Sequence, residues 1–228
     1  MKSFDDFVSV VGTKLKMNTT ESRKEVLLLL KSELLRSAIE LVINDSVLLK
    51  EVSNRSYFHK NGFLKVLLID MRPKYSVRLH IWPTEQFSET DIHDHPWSMT
   101  GLVLNGSCNW NIFEECQDSE SLKKRYICNY LNNYSGHSFK EEDPIFMSLV
   151  QVVTYSEGDF FDFSHKDFHN IAKLNSDPAD SIVITGENIS EYAQVITSRE
   201  IETDKVIFNS AIDDFLLKKC LIDFLTRI

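Results

Sequence analysis

Residues Asp91 to Gly106 read D-I-H-D-H-P-W-S-M-T-G-L-V-L-N-G. In an extended chain successive side chains point to opposite faces, so His93 and His95 look one way and Asp94 the other. Two imidazoles on one face can share a metal ion, provided a third ligand arrives from elsewhere in the chain. The alternative is a pair of ordinary surface or core histidines. Pro96 bends or ends the segment. A strand resumes over Thr100 to Leu104, and Asn105-Gly106 is a two-residue hairpin signal that predicts Ser107 to Glu114 pairing back across it.

Further on, Tyr155 to Lys173 reads Y-S-E-G-D-F-F-D-F-S-H-K-D-F-H-N-I-A-K and offers two candidate third ligands, His165 and His169. The two stretches together resemble the cupin superfamily, whose motifs lie on facing strands of a small antiparallel barrel. Its first motif is His-x-His, a Glu three or four residues on, and then Gly. His93, His95 and Gly106 match, while Met99 or Thr100 fills the acid position. Its second motif runs Gly, five residues, Pro, x, Gly, two residues, His. Gly158 and His169 match, with Ser164 and Lys166 at the Pro and second Gly. The resemblance covers roughly Ser56 to Thr197, implies His169 rather than His165 as third ligand, and gives a metal set of His93, His95 and His169.

A three-histidine set without the acid is similar to that of the thiol dioxygenases, the cysteine dioxygenase-type branch. Tyr75 to His95 also resembles that branch, whose strand ends in Trp before a turn and I-H-D-H. Counting back from Trp82, Phe63 to Lys65 falls on its Tyr-x-Arg. There the Arg pairs with a substrate carboxylate, so the resemblance gives Lys65 that role, with Arg78 as a second candidate. The branch's cross-linked Cys is absent at Met99 or Thr100. Its Ser-x-His-x-Tyr falls on Ser181, Val183 and Thr185, where only the Ser remains.

The chain has 228 residues, 43% hydrophobic and 26% charged, with a net charge of -9. That is enough for one domain with a sizeable core, or one domain with appendages. The acidic balance argues against nucleic acid or an anionic membrane surface as the main partner. Cys108, Cys116, Cys128 and Cys220 show no C-x-x-C spacing and read as reduced thiols. Asp5 and Asp6 stand where an export signal would be basic, and the longest apolar run, Val26 to Leu30, is too short to span a bilayer. A cytoplasmic protein is therefore expected.

Residues 1–55 read as a helical extension. Ser3 caps a first helix with Phe4, Phe7, Val8, Val11 and Leu15 at helical spacing. A second runs from Thr19 or Thr20 to about Asn44, burying Val26, Leu27, Leu30, Leu34, Ile39 and Val42. Residues 56–200 form the barrel. Asn61-Gly62 turns into a strand over Phe63 to Ile69, apolar on both faces, in which Lys65 is either a buried cation with a partner or an edge lysine reaching water. In the next strand Ser76, Arg78, His80 and Trp82 share one face, lining a cavity if it points inward and solvated if it points outward. Residues 115–147 read as a polar, irregular insertion with one strand near Tyr126 to Tyr130, either a lid or a surface excursion, and His137 as surface. Two closing strands, Ser181 to Thr185 and Tyr192 to Thr197, flank Gly186. Residues 201–228 end in an amphipathic helix over Ser210 to Ile228, with Ile212, Phe215, Leu216, Leu221, Phe224 and Leu225 near one side.

The expected architecture is thus mainly β, a cupin barrel (double-stranded β-helix) with helices before and after it. The expected function is a non-haem Fe(II) dioxygenase-like oxidoreductase acting on a small amino-acid-like or thiol-like molecule. The alternatives are redox-neutral chemistry at Zn or Mn (a lyase, an isomerase or a bond-forming step) and a non-catalytic small-molecule-binding cupin. The resemblance also implies a homodimer, cupins being often dimeric.

Overall fold

The computed structural model describes residues 3–82, 90–117, 122–131, 134–173 and 179–228. Helix α1 (Phe4–Lys14) starts where Ser3 Oγ accepts the Asp6 N–H and the Asp6 carboxylate accepts the Ser3 N–H, a reciprocal cap. Helices α2 (Thr20–Leu29) and α3 (Leu35–Asn44) are one run joined by a π-turn at Leu30–Leu34. The extra residue in that turn advances the buried stripe by one position. Leu35 and Ala38 therefore enter the core, and Leu34, expected there, is only partly buried. Helix α4 (Ser46–Arg55) follows at once, because Asp45 caps it by accepting the Val47 and Leu48 N–H groups.

Among the described residues thirteen strands follow: β1 (Tyr57–Phe58), β2 (Leu64–Met71), β3 (Tyr75–Trp82), β4 (Ile92–His93), β5 (Trp97–Asn105), β6 (Ser107–Cys116), β7 (Leu122–Tyr130), β8 (Gly136–Ser156), β9 (Phe160–Phe163), β10 (Phe168–Lys173), β11 (Ala179–Asn188), β12 (Tyr192–Thr197) and β13 (Ile207–Phe208). They make a six-stranded sheet, β1-β2-β3-β11-β5-β9, and a seven-stranded one, β13-β8-β6-β10-β4-β12-β7, in which β7 also pairs with β8. All described pairings are antiparallel. The result is the double-stranded β-helix expected from the sequence, with helices at both ends of the chain.

The hairpin expected at Asn105-Gly106 does not form. Gly106 does take a left-handed turn at φ 74°, but β5 pairs with β11 and β9 while β6 pairs with β10 and β8. The turn carries the chain from one sheet to the other. An Asn-Gly pair reports a tight turn and says nothing about which strands then pair. Gly158, at φ 91°, makes the same crossing between β8 and β9. The two crossings are tied together, since the Glu157 N–H donates to Gly106 O and the Gly158 N–H to Val103 O.

Residues 115–147 are also more regular than expected. They contribute the end of β6, all of β7 and the first half of β8, so this stretch is barrel wall and not a loop excursion. Gly186, expected between two closing strands, lies inside β11. A Cβ there would meet Ser98 Oγ at 2.6 Å and the Arg23 guanidinium at 3.1 Å. The turn expected after Trp82 falls at 83–89, outside the described residues.

The two faces of the six-stranded sheet serve different cores. Val77, Leu79 and Ile81 of β3, with Val66 and Leu68 of β2 and Ile182 and Ile184 of β11, pack under α1–α4. On the opposite face Phe63, Trp82, Trp97, Met99 and Val183 meet Trp110 and Ile171 of the other sheet. Helix α5 (Asp214–Leu225), capped by Asp213, closes the helical side with Leu217, Leu221 and Phe224. Phe215 and Leu216, expected on its buried side, are exposed, and Leu217 takes their place. No described helix is long and apolar enough to cross a membrane.

Candidate metal centre

His93 ends the short strand β4, directly opposite His169 of β10. His95 follows on the same side, as its spacing predicts. The three rings converge, with centroids 5.0 Å (His93–His95), 4.7 Å (His93–His169) and 5.2 Å (His95–His169) apart. One ring nitrogen from each lies within 4.8 Å of the others, a grouping able to hold a metal ion. His165 sits in the turn before β10 and is not part of it.

The surroundings fix the ring chemistry. His93 Nδ1 lies 2.8 Å from Asp91 O, and His169 Nδ1 lies 2.8 Å from Asp167 O. A carbonyl oxygen only accepts, so each Nδ1 carries the proton and each Nε2 keeps its lone pair for the centre. Burial holds all three imidazoles neutral. It pushes His93 down to about 4 and His95 and His169 well below the usual histidine range. Asp94 is buried and lines the cavity but is not one of the grouped ligands, its carboxylate accepting hydrogen bonds from the Gln194 backbone and side chain. Neither residue at the missing acid position supplies a carboxylate. Met99 packs in the inner core, and Thr100 Oγ1 accepts the Nε–H of Arg23 at 2.9 Å.

The histidines open on a cavity of about 100 Å³. A water needs roughly 10–15 Å³ by this measure, so the space suits a group of a few heavy atoms. The β3 face left open by the sequence points inward, with Arg78, His80 and Trp82 all on the wall. Arg78 is 3% exposed; its Nε–H donates to Ser76 Oγ at 2.7 Å, and its guanidinium lies 4.6 Å from the Trp97 ring centroid. Among the described residues its Nη2 has no hydrogen-bond partner. Burial, with Arg72 nearby, pushes this guanidinium down to about 10.

Lys65 sits beside it, paired in register with His80. Its Nζ donates to Tyr57 Oη at 3.2 Å, and burial and the Arg78 and Arg72 charges hold it well below the usual lysine range. Arg72, by contrast, is neutralised by two hydrogen bonds to Asp70 and lies over Tyr134. Of the cationic side chains on the cavity wall, Lys65 and Arg78 make their hydrogen bonds to neutral hydroxyls; Lys60, Asp91 and Asp94 also line it.

Several wall residues escaped the sequence reading. Cys128, Tyr130 and Tyr134 come from the stretch read as an insertion, where Tyr126, Cys128 and Tyr130 already alternated at strand spacing. His137, read as surface, begins β8 and also lines the cavity; burial pushes it down to about 4. Tyr57 and His59 lie just before β2, where no sequence signal marked them. His59 stacks on Phe63 with centroids 4.7 Å apart. The four cysteines are free, as expected, and Cys128 is buried.

No family model matches the chain, and no curated protein matches it either. Solved structures do. The cupin domain of Schizosaccharomyces pombe Cnp3 aligns with a TM-score of 0.35 at 8% identity over 55% of this chain and 61% of that one, so the chain spans under two thirds of that domain. An RmlC-like cupin of Methanocaldococcus jannaschii with a double-stranded β-helix aligns with a TM-score of 0.35 at 11% identity, covering 59% of this chain and 90% of that one. The DMSP lyase DddQ of Ruegeria pomeroyi aligns with a TM-score of 0.37 at 15% identity, covering 62% and 54%. The first two of these are described as cupins, and the similarity to all three is at 8–15% identity with TM-scores of 0.35–0.37.

Proposed function

We propose that His93, His95 and His169 hold one divalent metal ion, Fe(II) in the leading reading, and that the protein is a dioxygenase-type oxidoreductase acting on a small anionic thiol-like or amino-acid-like molecule. The observation that carries this reading is the meeting of three neutral imidazoles, two with Nδ1 tied to backbone carbonyls, with two cations that lack acidic partners. Bound Fe(II) would supply a centre at which O2 and an anionic substrate react side by side. For a thiol the reaction class is R–SH + O2 → R–SO2H. Both oxygen atoms go to sulfur, and the four electrons gained by O2 come from it, so no external reductant is needed.

The chain's own residues have separate tasks in this scheme. Arg78 and Lys65 hold the substrate carboxylate, the Arg78 Nη2 group donating the hydrogen bond that it lacks in the protein. Trp82, Trp97 and Phe63 exclude water from the space between them. Tyr57 Oη accepts a hydrogen bond from Lys65 Nζ and holds that group at the cavity wall.

A second reading, redox-neutral chemistry at Zn or Mn, has its own support. Val183 and Thr185 stand where the thiol dioxygenases carry a His and a Tyr. Thr185 Oγ1 is committed to the Ser76 N–H at 2.9 Å. The Tyr57–Lys65 pair would then serve proton transfer in a lyase or isomerase.

Elemental analysis of protein purified without chelators, beside His169→Ala, is the test. The leading reading expects about one iron per chain, lost in the variant, and O2 uptake with a thiol acid. Stoichiometric zinc with activity retained without O2 would replace it by the second reading. No metal after reconstitution would refute both.

A further inference from the structure

We propose that the metal-lined cavity continues into an outer compartment that takes an aromatic or branched-alkyl arm of the same molecule whose acid group binds inside; this rests on reading the inner cavity as an anion site. The outer hollow measures about 390 Å³, against about 100 Å³ for the inner one. The two share Tyr57, His59, Lys60, His137 and Asn209 as walls. Beyond those residues the outer hollow is lined by Phe58, Phe139, Ile201, Ile207 and Phe208, with Arg199, Glu200 and Ser210 at its polar side.

Phe58 is 55% exposed and Phe208 66% exposed. Single exposed apolar side chains need no explanation, but two phenylalanines with Ile207 around one hollow mark a place where apolar surface is to be covered. The backbone shows why they stay there. Ile207 and Phe208 pair with His137 and Gly136 of β8, and the Asn209 N–H donates to Ser135 O. Ala211 then bridges to Tyr57, and the Ile212 N–H donates to Ser56 O. Residues 207–212 are thus a strap fastened to both sheets beside the shared walls, and its fastening uses backbone groups and not the Phe208 ring.

The two compartments differ in chemistry. Inside, Lys65 and Arg78 stand beside the imidazoles; outside, the rings of Phe58 and Phe208 stand with Ile201 and Ile207, and the charges there, Arg199 and Glu200, are of opposite sign. A head of a few heavy atoms fills the inner space, and only an arm can occupy the outer one. The ligand class that satisfies both is an amphiphilic acid, an anionic head joined by a short linker to an aryl or branched-alkyl group.

The test titrates straight-chain alkanoates from acetate to pentanoate, and their ω-phenyl counterparts, into the zinc-reconstituted protein by calorimetry. At least one ω-phenyl acid should bind about tenfold or more tighter than the alkanoate of equal chain length. Phe208→Ala should abolish that advantage and leave the alkanoate affinity unchanged. If every ω-phenyl acid binds no tighter than its alkanoate, or if Phe208→Ala weakens both alike, the proposal is overturned. Phe58→Ala repeats the comparison if circular dichroism shows Phe208→Ala misfolded. If no acid binds, neutral 3-phenylpropanol separates the two ideas. Phe208-dependent binding of the alcohol keeps the outer compartment and removes the anion reading, whereas no binding removes both.

Discussion

Arg78→Met should leave the protein about as stable as it was while removing most of its affinity for small carboxylates. The guanidinium is 3% exposed, and burial together with Arg72 pushes it from the usual arginine range down to about 10. At ~1.4 kcal/mol per tenfold change, that is a penalty of roughly 3 kcal/mol for keeping the charge inside. The penalty is fully present at pH 7, where Arg78 is protonated in the folded and unfolded chains alike. Two contacts offset it. The hydrogen bond to Ser76 Oγ contributes about 1.5–3 kcal/mol as a charged bond. The stacking on Trp97 contributes about 0.5–2 kcal/mol.

Methionine removes the penalty and both contacts together and keeps an apolar chain in the same space. It strands no partner, because Ser76 Oγ remains within 3.0 Å of Thr185 Oγ1. Urea unfolding at pH 7 should therefore place the variant within about 1.5 kcal/mol of the wild type, where breaking a buried ion pair would cost about 3–5 kcal/mol. Calorimetric titration with acetate should show a loss of about thirtyfold or more, the worth of a charged hydrogen bond. A destabilisation of 3 kcal/mol or more would mean that the guanidinium has an anionic partner in the folded chain. Unchanged acetate affinity would mean that it does not face the ligand. Either result refutes the reasoning.

Gly101→Ala should destabilise by about 1–3 kcal/mol, because its Cβ would lie 2.0 Å from the buried Phe161 ring; Gly101→Ala combined with Phe161→Leu should recover part of the loss in the same urea assay. His137→Gln should flatten the acid side of the stability curve. His137 is held at about 4 when folded against 6.5 when free, so the unfolded chain takes up the proton first and stability falls as pH drops through that window. Wild type and variant losing equal stability between pH 6.5 and 4 would rule this out. Lys65→Met should weaken acetate binding but retain the metal, and elemental analysis showing metal loss would instead place Lys65 in support of the histidines.

What could be read from the sequence had a local signature. His93 and His95 on one face needed only strand periodicity, and Ser3 as a helix cap needed only side-chain chemistry. The Asn105-Gly106 turn was local too, and its glycine does take a positive φ. The pairing after it was not local. It depends on β11 and β9 occupying both edges of β5, and those strands come some 55 to 90 residues later. Residues 115–147 were misread for a related reason. β8 spends its first half on β7 and its second on β6, so the polar residues of this long ribbon face solvent while Tyr126, Cys128 and Phe139 face in. A polar composition then resembles a loop, although the alternation within it is that of a strand.

The inward face of β3 is where fold and chemistry meet, and no sequence rule could orient it. Its alternate residues are Val77, Leu79 and Ile81 on one side and Ser76, Arg78 and His80 on the other. In a sheet with one wet face the polar set would point to water. Here both faces are covered, the apolar one by four helices and the polar one by the second sheet. Without the helices the apolar face would have to be the inner one, and Arg78 would lie in solvent. Covering the outer face is what turns Arg78 and His80 inward. The helices before the barrel therefore do more than thicken the core, since their packing against Val77, Leu79 and Ile81 aims the cation at the imidazoles across the cavity. A substitution that loosens the helical layer over this sheet, such as Ile39→Ala at a fully buried position in the same core, should thus weaken acetate binding before it abolishes folding. In a protein whose site was held by the barrel alone, the two losses would coincide.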